Sequence, residues 1–154
     1  MSNFELAKAV NTRLRSAHHE WDTAPLFHEN RDVKGEIVSQ IAFAIAEAEI
    51  EYLTIEVNDS DGYISVLVFS GTRIIDTRYF TESGKVRTRV HSFDGIEKVL
   101  ITSTPNVFTS SLSSSGSAEA EITIDGIEFT LPGDEKATRL NSQELENFLP
   151  KLTP

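Results

Sequence analysis

Cysteine is absent from this chain of 154 residues. Its absence excludes disulfide bonds, thiolate metal sites and a cysteine nucleophile. Long apolar runs are also lacking. A membrane-spanning helix needs about 20 consecutive apolar residues, and the best candidate, 37–50, is interrupted by Ser39, Gln40, Glu47 and Glu49. The N-terminus carries no signal-peptide pattern. We therefore expect a single cytoplasmic domain over 1–154 that does not bind membranes.

Basic residues are scarce, because 14 Lys and Arg stand against 24 Asp and Glu, for a net charge of −10. Residues 35–62 carry seven acids and no Lys or Arg, whereas 63–98 carry six bases and four acids. Nucleic acids and anionic membranes bind basic surfaces, so we expect neither as a partner. Acidity most simply keeps a protein soluble. The alternative is an acidic inhibitor, of the immunity-protein type, that binds a basic partner.

Helices are predicted at both ends of the chain. Ser2 and Glu5 form a capping box at the start of the first helix, and Pro25 is expected to end it or follow it. Apolar residues recur at helical spacing along this segment: Leu6, Val10, Leu14, Ala17 and Trp21. A second helix is predicted to begin near Asp32.

The last helix is predicted from a second capping box, in which Asn141 caps and Glu144 completes the pair. Leu140 is expected to pack against Leu145 across the start of this helix. Pro150 is expected to stop or kink the helix, because an interior proline removes a backbone hydrogen bond.

Between the helices the apolar period changes to two, which predicts strands. Alternation, a run that is apolar on both faces at 63–69 and the turns between segments together predict seven strands: 53–57, 63–69, 73–80, 86–93, 96–102, 118–124 and 127–131. Asp125-Gly126 predicts a two-residue hairpin turn, and the low-complexity stretch 109–117 predicts a mobile loop. Strands grouped between helices, without alternation, predict an α+β fold.

Two segments resemble bacterial pleckstrin-homology-like (PH-like or GRAM-like) domains. They are VLVFSGTRII at 66–75 and VHSFDGIEKV at 90–99, each an apolar strand, a polar turn and the start of the next strand. The resemblance covers about 52–150 and implies an antiparallel barrel or curved sheet closed by the C-terminal helix. Residues 1–50 are then a helical extension, packed on this core or pairing two copies of the chain as a homo-oligomer.

The resemblance does not carry lipid binding with it. In lipid-binding members the loop between the first two strands is basic and holds inositol phosphates. The corresponding loop here, 58–62, reads NDSDG and has two acids and no base. It also lacks the spacing and closing glutamate of a calcium loop, so we expect an ordinary turn.

Three histidines provide the one cluster with metal-ligating side chains. His18 and His19 are adjacent, so on a helix they point about 100° apart and do not share one ion readily; His28 follows further along the chain. No nucleophile motif accompanies them. We expect exposed histidines near a helix end, no metal, no cofactor and no catalytic residue. An enzyme built on these three side chains remains the alternative.

A local basic face is the candidate binding site. Arg87 and Arg89 fall on the same face of one predicted strand. Other basic residues lie nearby in the sequence and could join them: Arg73, Arg78, Lys85 and Lys98. Their alternative role is cross-strand pairing with Asp76 and Glu82. Together these observations predict a non-enzymatic protein-interaction or scaffold module with a protein partner. The alternative is a protein with a small-molecule or lipid pocket.

Overall fold

The computed structural model describes residues 2–105 and 117–152. Four helices and seven strands follow one another along the chain: α1 (Asn3–Ala17), α2 (Pro25–Glu29), α3 (Arg31–Ile45), β1 (Ile50–Asn58), β2 (Tyr63–Ser70), β3 (Arg73–Phe80), β4 (Lys85–Ser92), β5 (Ile96–Ser103), β6 (Glu119–Ile124), β7 (Ile127–Leu131) and α4 (Arg139–Leu152). No helix within the described residues is long and apolar enough to cross a membrane.

The first predicted helix is shorter than its apolar stripe. Ser2 caps it as predicted, since its hydroxyl accepts the Glu5 backbone N–H at 3.2 Å. Helix α1 nevertheless ends at Ala17, because His18 takes an extended conformation and bridges to Ala137. Trp21 is fully buried in the turns that follow the helix.

The seven strands form two antiparallel sheets. The first has the order β1-β2-β3-β4 and the second the order β5-β6-β7. The β6–β7 turn has positive φ at Asp125 (48°) and Gly126 (83°), as the predicted hairpin turn requires. The expected α+β class is therefore confirmed, with α4 after the last strand.

The sheets do not close into the barrel that the resemblance implied. Across the described residues, no ladder joins β4 to β5 or β7 to β1. Between the sheets the chain passes through a short 3₁₀ turn, Phe93–Gly95. The sheets are held together by burying apolar side chains in a shared cluster, and this does not require a closed hydrogen-bonded ring.

Two apolar clusters lie on opposite faces of the first sheet. One face packs against α1, α2 and α3, and we call it the helix-covered face. The other packs in part against the second sheet and α4, and we call it the mixed face. His91 of β4 contributes to the contact between the sheets, because its Nδ1 lies 2.6 Å from Asp125 Oδ2 in the β6–β7 turn.

Helix α4 differs from its prediction at both ends. It begins at Arg139, and the Thr138 hydroxyl accepts the backbone N–H of Asn141 at 3.2 Å. Asn141 is therefore not the cap; its side chain is buried and donates to Leu53 O at 2.7 Å. Pro150 does not stop the helix, which continues to Leu152.

The partners predicted for the second capping box also lie elsewhere. Glu144 pairs with Arg13 of α1 at 2.7 Å. Leu140 is 51% exposed, whereas Leu145 is fully buried. The predicted mobile loop covers 109–117. All of it except Ser117 lies outside the described residues.

Candidate interaction surface on the fourth strand

Cross-strand register divides the mixed face into four rows that run from β1 to β4. The first row is mainly apolar and meets the second sheet and α4: Tyr52, Phe69, Ile74 and His91. The other three rows are mostly polar: Thr54, Leu67, Asp76 and Arg89; Glu56, Ser65, Arg78 and Arg87; and Asn58, Tyr63, Phe80 and Lys85. The mixed face is therefore core at one end and a polar surface at the other.

The structure brings three of the four predicted binding arginines to one face. Arg78, Arg87 and Arg89 all belong to the polar rows of the mixed face. Arg73 lies on the helix-covered face instead, because β-strand side chains alternate and it is an odd number of residues from Arg78. Its Nη1 donates to Ala44 O at 2.8 Å, near the C-terminal end of α3. Arg73 is thus placed apart from the other three.

Arg78 is already paired within the fold. Its Nε donates to Asp76 Oδ1 at 3.0 Å, and the Asp76 side chain is only 1% exposed. Its guanidinium also lies 5.4 Å from the centre of the Phe129 ring on β7. The pairing with Asp76 runs along one strand, not across two strands as predicted. Arg78 therefore neutralises a buried carboxylate and contacts the second sheet.

The remaining cations line β4. Lys85, Arg87 and Arg89 are exposed on the mixed face, and we call them the basic strip. None of them forms an ion pair with any residue that the structure describes. Lys85 was predicted to lie near these arginines, and its alternation with Arg87 and Arg89 in the sequence places it on the same strand face. Three cations without an ion-pair partner in the described part of the chain thus project from one strand of an acidic protein.

The opposite face of β4 borders an apolar groove. Val90 of β4 is 55% exposed and Phe43 of α3 is 87% exposed. Together with Thr88 they line a groove of about 510 Å³, whose wall also includes the charged residues Glu36 and Arg73. Sequence reasoning missed Phe43, although a large aromatic side chain on the outer side of an amphipathic helix was a visible signal.

The two edge strands of the first sheet, β1 and β4, differ in how many of their backbone groups are bonded by other segments. Side chains from three other segments form hydrogen bonds with the β1 backbone. Arg13 Nη1 donates to Ile50 O at 3.3 Å, and Asn141 Nδ2 donates to Leu53 O at 2.7 Å. Asp134 Oδ2 accepts the backbone N–H of Val57 at 2.9 Å. Residues 86–91 of β4 receive one such bond from the described part of the chain, from Gln40 Nε2 to Val86 O at 3.2 Å. As far as 2–105 and 117–152 show, the β4 edge is therefore open.

A cleft of about 350 Å³ lies between the polar rows and β7. Its walls include Tyr63, Phe80 and Phe129, with Arg78 at one side and Glu56 at the other. The Tyr63 hydroxyl donates to Glu56 Oε2 at 2.5 Å. Burial raises the pKa of Tyr63, and its bond to the neighbouring carboxylate raises that pKa further. Polar and aromatic side chains therefore share the walls of this cleft.

His18 is buried, contrary to the prediction of exposed histidines. Its Nε2 lies 2.8 and 3.0 Å from the two carboxylate oxygens of Asp134, and its Nδ1 accepts the Glu20 backbone N–H at 3.1 Å. His19 and His28 are exposed. Among the described residues no group of three or more His, Asp or Glu side chains could hold a metal ion. His18 therefore ties the end of α1 to the segment before α4.

Comparison of the chain with protein-family models, curated proteins and solved structures finds no match.

Proposed function

We propose that this chain is a non-enzymatic protein-interaction module that binds an acidic protein partner through β4. The observation that carries the proposal is the basic strip on an open sheet edge. In a protein of net charge −10, this strip is a local surface of opposite sign. At physiological ionic strength charges are screened beyond about 8 Å, so a partner in contact with β4 meets mainly the strip.

The fold class that we propose for 52–150 is PH-like. The strand order β1-β2-β3-β4 followed by β5-β6-β7 and then α4 supports it, because this meander and terminal helix are the order on which the resemblance depends. We place the module in the cytoplasm as part of the same proposal.

Quantitative capture from the native host tests the proposed function. The wild-type chain should capture a set of acidic proteins. The R87E/R89E variant should capture these proteins in amounts at least about tenfold lower, because each charge reversal replaces attraction by repulsion. The control is R31E/R139E, which makes the same change in net charge at two exposed arginines on other elements. Equal capture of the same proteins by wild type and R87E/R89E would contradict the proposal.

A second candidate function is small-molecule binding in the inter-sheet cleft. It is favoured by the placement of Arg78 and Glu56 two strands apart around Ser65, with aromatic rings on both sides. A thermal-shift screen of small organic anions separates the two functions, because a ligand of the native state raises the melting temperature. A Ser65→Phe variant that fills the cleft should lose such a shift and still bind the acidic partner.

A further inference from the structure

The open edge of β4 can receive another strand. In an antiparallel pair only alternate residues direct their backbone groups at the neighbouring strand, so every second residue of β4 points its N–H and C=O away from β3. Within 86–91, Gln40 covers one of these groups, at Val86 O, and no other described side chain bonds to them. Unpaired backbone groups on an edge strand form a template for an extended chain.

The side chains of β4 indicate which residue types an added strand would need. Lys85, Arg87 and Arg89 project to one face, and Thr88 and Val90 project to the other, beside Phe43. The side chains of an added strand alternate in the same way. Acidic side chains at alternate positions would therefore meet the basic strip, and the apolar ones between them would enter the groove.

A second copy of this chain fits the edge poorly. Two copies related by a two-fold axis would pair β4 with β4 in an antiparallel manner. The cations of one basic strip would then face those of the other, and like charges directly opposite one another destabilise a strand pair. The occupant that matches both faces is an acidic segment of a different protein.

We propose that β4 binds an extended partner segment with alternating acidic and apolar residues by strand addition to the first sheet. This inference rests on the proposed function and adds to it the conformation and the side-chain pattern of the partner. Backbone hydrogen bonds along β4 hold the segment. The basic strip and the groove fix which of its two faces points where.

Fluorescence anisotropy with synthetic peptides tests the inference. The first probe alternates Glu and Val over the length of β4, and the second has the same composition with all Glu residues before all Val residues. We expect the alternating peptide to bind at least about tenfold tighter. N-methylation of alternate amides on the edge that faces β4 should abolish binding, while methylation of the opposite edge should not. Val90→Lys should reduce the preference for the alternating peptide.

The outcomes separate this inference from the proposed function. If both peptides bind equally well, and R87E/R89E weakens both, the partner is held by charge alone and strand addition is overturned. If neither peptide binds and R87E/R89E also leaves capture unchanged, the proposed function fails together with the inference. Tight alternating-peptide binding that survives N-methylation of the β4-facing edge likewise overturns strand addition.

Discussion

The two edges of the first sheet show how this molecule protects one strand and exposes another. The β1 edge is closed by residues that lie far from it in the sequence. Asp134 and Asn141 bond to its backbone, and Gly133 packs so tightly that an added Cβ would lie 2.7 Å from Ile55 O. The β4 edge has Gln40 alone over 86–91, as far as the described residues extend. Proteins usually protect their sheet edges, and the open β4 edge with its basic strip is the feature from which we propose that this strand binds a partner.

The cover over the β1 edge also connects parts of the molecule that are distant in the sequence. Most of the cover over β1 comes from 133–141, which follow the last strand of the second sheet in the chain. The same segment holds His18 through Asp134 and the Ala17 carbonyl through the Thr138 N–H, at 2.9 Å. One stretch of chain thus closes the sheet edge and fixes the end of α1. We therefore expect substitutions in 133–141 to destabilise both the β1 edge and the end of α1.

The largest effect should come from Phe148→Ala, which removes the ring that anchors α4 beside β1. Phe148 is buried, with ring centres 4.8 Å from Phe69 and 5.4 Å from Tyr52. Truncating a buried Phe costs about 3–5 kcal/mol. The free energy of unfolding, measured by urea titration and circular dichroism, should fall by that amount. Asn147→Ala, on the exposed side of the same helix, should change it by less than about 0.5 kcal/mol.

The same variant tests whether the two clusters unfold together. The one tryptophan of the chain, Trp21, belongs to the helix-covered cluster, whereas Phe148 belongs to the other cluster. If the molecule is cooperative, Trp21 fluorescence and circular dichroism should shift by the same amount in Phe148→Ala. A fluorescence transition left at its wild-type midpoint would show that the helix-covered cluster is stable on its own.

A smaller effect is expected from Asp134→Asn, which weakens the cover over β1. Burial raises the pKa of the Asp134 carboxyl, but bonds from His18, Val57 N and Lys136 N outweigh it and leave the pKa below 3.8. An asparagine offers one acceptor oxygen in place of two. At neutral pH we expect a loss of about 1–3 kcal/mol in the free energy of unfolding.

The pH dependence of this loss has a defined sign. A carboxyl whose pKa is lower in the folded than in the unfolded state contributes stability above its unfolded pKa, and that contribution disappears as the pH falls through the folded value. Urea titrations from neutral pH to below pH 3.8 should therefore show wild type and Asp134→Asn converging. A gap that stays constant would contradict the role of the ionised carboxylate. Asp22→Asn, at a largely exposed ion-paired carboxylate, should show less than about 0.5 kcal/mol of loss.

Sequence patterns predicted the elements of this fold better than their contacts. Alternation, one run that is apolar on both faces (63–69) and the turn residues between segments predicted all seven strands, and Asp125-Gly126 predicted its own turn, because all of these signals are local. The separation into two sheets depends on which strands pair across long distances. Asn141 shows the same limit, since a polar residue at a helix start predicts a cap, while here it bonds to a strand 88 residues away.

The candidate site was predictable in part for the same reason. Arg87 and Arg89 share a face through simple alternation, which the sequence reveals directly. Arg73 lies on the opposite face of the sheet, which follows from alternation along β3. Arg78 forms an ion pair with Asp76 and is not free to bind a partner. Openness of the β4 edge depends on what the rest of the chain leaves uncovered. A single sequence does not state that for any strand.

The smallest effect on stability should come from Val90→Lys, on the open edge. Val90 is 55% exposed, so a lysine there keeps its charge in water and loses little packing. We expect a change of less than about 0.5 kcal/mol in the free energy of unfolding. Its counterpart is Val57→Lys on β1, where the half-buried valine packs against the helix-covered cluster and the loss should be about 1–2 kcal/mol. Equal losses at the two positions, measured by urea titration, would mean that the β4 edge is as tightly covered as the β1 edge, and the contrast between the edges would be wrong.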